Sequence, residues 1–144
     1  MIAVLAWLAP LPATADFTEG LAAYDGGDYA TALAEWRPLT RNGDAEAQIA
    51  LADLYMQGYG VPRNPAMAVR WYHLAAGQGA VMAQVNLGDL YARGLDVGKN
   101  LITAHAWLYL AAESGHTWAR KRLTTLEQQL TPIQINIAAP WPGN

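Results

Sequence analysis

The fold class predicted for this 144-residue chain is all-α: an α/α superhelix, a solenoid of antiparallel helix pairs. Three observations predict it. The chain repeats itself at a fixed offset, which marks a stacked-unit architecture. Apolar residues inside each copy recur at the i, i+3, i+4 spacing of one helical face. Glycines and an Asn-Pro start signal punctuate the copies where helices stop and begin.

Residues 1–15 come first, and they read as a signal peptide. The apolar run Ile2 to Ala9 is followed by prolines and by the small-residue pattern Ala13-Thr14-Ala15. That is the shape of an h-region and an A-x-A cleavage site, with cleavage after Ala15 and Asp16 as the first mature residue. No Lys or Arg precedes the run, and it falls far short of the ~20 apolar residues that span a bilayer as a helix. The expectation is a periplasmic or secreted protein with no stable membrane insertion after cleavage.

Residues 16–43 follow as a helix pair. Gly20, Gly27-Asp28-Tyr29, Ala32, Trp36 and Leu39 resemble a tetratricopeptide-like unit with the short connector "DGGD".

The repeat itself occupies residues 44–79 and 80–115. At an offset of 36, Ala47 meets Ala83, Leu51 meets Leu87, and Asp53-Leu54-Tyr55 meets Asp89-Leu90-Tyr91. Further on, Gly58 meets Gly94, Asn64 meets Asn100, Trp71 meets Trp107, and Gly79 meets Gly115. In the first copy Ala47, Ala50, Leu51, Leu54 and Tyr55 form one helical face, with Asp44 as N-cap. Gly58 and Gly60 break that helix, and Asn64-Pro65 supplies N-cap and N1 proline for the next. Small residues at 52/88, 68/104 and 75/111 allow close helix approach around the aromatic rings.

Residues 116–131 are expected to form a capping helix. Trp118, Ala119, Leu123, Leu126 and Leu130 are placed on its apolar face, with Arg120, Lys121, Thr124, Gln128 and Gln129 opposite. Residues 132–144 read as a tail that departs from an amphipathic helix.

These motifs resemble Sel-1-like repeats, relatives of tetratricopeptide repeats with a longer loop between the helices. The resemblance is carried by Leu54-Tyr55, Leu90-Tyr91, Leu87-Gly88, Gly58-x-Gly60-Val61, Ala68-x-x-Trp71 and Ala104-x-x-Trp107, and it covers about residues 16–131. Ala52 and Leu95-Asp96 depart from the family pattern, which bears on loop geometry. The resemblance implies a bacterial, non-catalytic scaffold for protein–protein interaction, working in envelope assembly, secretion, signalling or host contact. Cysteine-rich members associated with β-lactam hydrolysis give the enzyme alternative, but their disulfide-linked repeats have no match in a chain without cysteine.

The chain carries no strong signal for chemistry. A net charge of −3, with one basic cluster at Arg120-Lys121-Arg122, leaves no footprint for nucleic acid. The "GYGVPRNP" loop lacks the strand before it and the Gly-Lys-Ser/Thr after it that phosphate binding needs. His73, His105 and His116 stand at different repeat positions with no carboxylate in phase, so neither a metal site nor a cofactor is expected. Asp53 and Asp89 recur in phase, and both are read as solvent-facing, with Asp89 paired to Arg93 one turn on, rather than as catalytic carboxylates. Trp36, Trp71, Trp107 and Trp118 are read as core rings joining the units, and a charge reversal at Asp96 is expected to cost under ~0.5 kcal/mol.

What remains for function is the surface of the first helices. Carried over by position from the tetratricopeptide pattern that the repeats resemble, the inward-facing candidates are Phe17, Leu21 and Tyr24, then Ile49, Asp53, Met56 and Gln57, then Val85, Asp89 and Arg93. Such a mixed apolar and acidic groove suits a peptide or a partner helix, with a small ligand as the alternative.

Overall fold

A computed structural model describes residues 15–138, so the signal-peptide reading of residues 1–15 falls almost wholly outside them. Among the described residues there are eight helices and no strand. They are α1 Phe17–Asp25, α2 Tyr29–Arg41, α3 Ala45–Gln57, α4 Pro65–Gly77, α5 Val81–Arg93, α6 Leu101–Glu113, α7 Thr117–Glu127 and α8 Pro132–Ala138. None is long and apolar enough to cross a membrane. Each packs on its sequence neighbour up to α7, and α8 returns to α6.

Local sequence explains where the helices begin. Side chains of Asp16, Asp28, Asp44, Asn64 and Asn100 each accept a hydrogen bond from a backbone N–H in the first turn that follows, which satisfies a donor the helix cannot. Pro65 then enters at the first helical position, where its missing N–H is no loss. Gly58 and Gly94 end α3 and α5 in the left-handed region, at φ +76° and +68°. The long loops after them are tied back by Asn64 N–H to the Tyr55 carbonyl (2.8 Å) and Asn100 N–H to the Tyr91 carbonyl (3.0 Å).

Three apolar clusters run along the chain. The first gathers Leu33, Trp36, Leu51 and Leu54; the second Ala68, Tyr72, Ala83 and Leu87; the third Val85, Ala104, Leu108 and Leu126. Trp71 touches the first two and so bridges them. Small residues set the helix spacing as expected. A Cβ on Gly88 would stand 2.6 Å from Leu108 Cγ, and one on Gly20 would overlap the Trp36 indole. His105 is buried on α6, with Nε2 3.0 Å from Glu127 Oε1, which links α6 to the end of α7.

Three expectations need correction. Trp118 is 43% exposed; the buried face of α7 runs through Ala119 and Leu126, about 100° round the helix from it. Trp71 and Trp107, also read as core rings, are packed less deeply than Trp36: they are half-buried where it is buried. At the 36-residue offset Trp36 corresponds to Tyr72 and Leu108. The tail also starts with α8, because Thr131 and Gln134 form a reciprocal cap: Thr131 N–H donates to Gln134 Oε1 (2.9 Å), and Gln134 N–H to Thr131 Oγ1 (3.3 Å).

Candidate functional site

The first helices α1 and α3 meet at an open cavity of about 380 Å³. Phe17, Leu21 and Tyr24 reach it from α1, Trp36 from α2, Glu46, Ile49, Ala50 and Asp53 from α3, and Met82 from the start of α5. The four α3 residues lie at i, i+3, i+4 and i+7, which is one helical face. Its aromatic wall is packed ring against ring. Phe17 stacks on Trp36 with centroids 5.6 Å apart, and Trp36 Nε1–H donates to the Phe17 carbonyl at 3.2 Å. Tyr24 lies 5.9 Å from Trp36 and continues into Tyr29 (5.4 Å), which in turn stacks on Tyr59 at 4.5 Å.

Asp53 is the charged centre of this wall. Its carboxylate is half-buried and accepts a hydrogen bond from the Tyr72 hydroxyl of α4. Burial raises its pKa above the ordinary 3.8, and the Tyr72 hydrogen bond opposes that rise. Tyr72 is itself pushed up, by burial first and then by the Asp53 charge. The same two causes, in the same order, raise Tyr24. Asp53 is therefore not the solvent-facing group the sequence suggested, because the tyrosine at 72 covers it. Asp89, with Leu108 at the corresponding place, stays on the open side, where Arg93 Nη1 lies 3.0 Å from its Oδ2.

The predicted groove residues separate into groups. Phe17, Leu21, Tyr24, Ile49 and Asp53 share the cavity. Met56 and Asp89 line a separate, smaller cleft of about 130 Å³, with Tyr72, Asn86 and Leu90. Gln57 and Arg93 are exposed and line neither cavity. Val85 has to be withdrawn from the groove: it is 7% exposed, covered within the cluster that α6 and α7 supply. Glu46, Ala50, Trp36 and Met82 were missed. Glu46 and Met82 occupy the same place in successive repeats, so extending the groove face one turn toward each helix N-terminus would have found both.

Among the described residues, no three His, Cys, Asp or Glu side chains gather to hold a metal ion. A second open cavity, about 390 Å³, lies against Thr117, Trp118, Arg120, Lys121 and Thr124 on α7.

Known proteins resemble the chain in the same terms. Residues 45–79 and 81–116 each match the Sel1 repeat. A solved structure of a protective antigen present in uropathogenic Escherichia coli, displaying an SLR fold, superposes with a TM-score of 0.76 at 28% identity over 83% of this chain. A Sel1 repeat protein from Oxalobacter formigenes superposes at 0.74, with 32% identity over 79% of this chain. The match spans 26% of the first protein and 47% of the second. No curated protein matches the chain in sequence. With two family matches in tandem and the helix-pair stacking of these structures, the chain is a Sel1-repeat protein with the SLR fold.

Proposed function

We propose that this chain is a non-catalytic scaffold of the bacterial envelope that holds a peptide or a partner protein against its first helices. Sel1 repeat proteins generally act in protein–protein interaction, which is the wider basis of the reading. The observation that carries it is the cavity between α1 and α3, an open trough walled by Phe17, Tyr24 and Trp36 with Asp53 at its side. Preformed aromatic walls lose little conformational entropy on binding, and aromatic contacts dominate most interfaces. Location in the periplasm or outside the cell rests on the pattern from Ile2 to Ala15.

Photo-crosslinking from Leu21 and Met82, both exposed at the trough, tests this in the native envelope. The expected result is one crosslinked protein partner that is lost in Tyr24→Ala and kept in Arg70→Ala, a change on the exposed side of α4. A partner lost in Arg70→Ala and kept in Tyr24→Ala would move the functional surface to the second helices. A thermal-shift screen with small molecules separates the ligand-binding alternative.

A further inference from the structure

We propose that the cavity between α1 and α3 selects a cationic side chain, an arginine or lysine of the bound peptide, with Asp53 as its counter-ion. This rests on the groove reading above and names the residue type that the groove admits.

The two repeats provide an internal comparison. Asp53 and Asp89 are equivalent residues, and so are the positions four residues further on, Gln57 and Arg93. In the second repeat Arg93 sits 3.0 Å from Asp89 and neutralises it. In the first repeat glutamine stands where that arginine would be, and among the described residues Asp53 forms no ion pair. The uncompensated carboxylate is half-buried, and the Tyr72 hydroxyl closes over it. An ionised carboxylate held away from water without a cation is costly unless something supplies the opposite charge.

The lining around Asp53 has the chemistry to receive that charge on a side chain. Tyr24 and Phe17 offer ring faces, backed by the buried Trp36, on which guanidinium and ammonium groups are attracted to the π-quadrupole. Leu21, Ile49 and Met82 offer apolar surface to the methylene stem, and Glu46 adds a second carboxylate at the exposed edge. No Lys, Arg or His lines the cavity. Its chemistry therefore favours a long cationic side chain over an apolar one of equal length, and it repels an acidic one.

The test is an NMR titration of the ¹⁵N-labelled full chain with three blocked tripeptides, Ac-Leu-Arg-Leu-NH₂ and its norleucine and glutamate counterparts. The arginine peptide should shift the amides around Asp53 and the Trp36 indole saturably, with at least fivefold tighter binding than norleucine, and glutamate should be weakest. Asp53→Asn should bring arginine and norleucine within twofold of each other. So should Gln57→Arg, which copies the second repeat's ion pair onto an exposed site and leaves the core untouched. Equal binding of arginine and norleucine at this cavity would overturn the cation proposal while leaving the groove reading in place. Saturable shifts that map to another face would overturn both. No shift at the cavity with any peptide also overturns the cation proposal.

Discussion

Gly60 and Asp96 hold the same place in successive repeats and share one left-handed backbone, at φ +70° and +59°. The two loops keep a common geometry although only one has glycine there. Asp tolerates this region better than most residues, and Arg63 Nη2 pairs with Asp96 Oδ2 in return. At Gly60 there is no such latitude, because a Cβ would stand 3.0 Å from the Tyr29 Cβ and carbonyl oxygen. Gly60→Ala should therefore cost about 2 kcal/mol, combining left-handed strain with crowding. Asp96→Ala should cost about 1 kcal/mol or less, since an exposed ion pair contributes little. Urea denaturation of the two variants checks the order, and equal losses would show that the close approach to Tyr29 is unimportant.

The three tryptophan environments predict three different losses. Trp36→Ala removes a buried ring together with its hydrogen bond to Phe17, and should cost about 3–5 kcal/mol. Trp71→Ala should cost about 2–3 kcal/mol and should loosen two units at once, because the ring touches two clusters. Trp118→Ala should change stability by under ~0.5 kcal/mol. Chemical denaturation followed by circular dichroism reads all three, and a large loss at Trp118 would return that residue to the core.

Gly88→Ala tests the helix spacing. Alanine is favoured over glycine within a helix by about 1 kcal/mol, yet the new Cβ would meet Leu108 at 2.6 Å. Overpacking should win, for a net loss of about 1–2 kcal/mol. The double variant Gly88→Ala/Leu108→Ala should show coupling, with the second change relieving part of the strain. A stabilised single variant would mean that α5 and α6 can move apart freely.

Asp53 makes the stability of the fold depend on pH with a defined sign. Burial lifts its folded pKa above 3.8, so the folded state binds this proton more tightly than the unfolded chain. The associated stability is fully present below the unfolded value and is lost as pH rises through the folded one. In Asp53→Asn the amide oxygen can still accept from Tyr72, but no charge is buried. The melting temperature of Asp53→Asn minus that of the unaltered chain should therefore be more positive at pH 7 than at pH 3. A pH-independent difference would mean that the carboxylate is well solvated.

Most of the fold could be read in the residues because its signals are local. Asp44, Asn64-Pro65 and Gly58 mark helix ends whatever the surroundings, and the 36-residue offset needs no tertiary knowledge. The site was only partly legible. Phe17, Tyr24, Ile49 and Asp53 followed from the tetratricopeptide positional pattern, but Val85 failed because its burial depends on α6 and α7 closing over it. The covering of Asp53 by Tyr72 was equally hidden, since the two residues belong to different helices and the second repeat has leucine at the matching place. The neutral Gln57 opposite the cationic Arg93 was visible throughout. Its consequence depends on the half-burial of Asp53, which a residue on another helix sets.

The pairing of Arg63 with Asp96 gives successive repeats a second point of attachment, apart from the seam of packed helices. Two plates joined along one line can pivot about it like a hinge. Joined also at a separate point, they resist twisting until one fastening lets go. This second fastening is electrostatic and exposed to solvent, so its stiffness is set by ionic strength, with the Debye length shrinking from roughly 10 Å at 0.1 M to 3 Å at 1 M salt. Dilute buffer should therefore hold adjacent repeats in a firmer register than brine, with no change in the helices themselves.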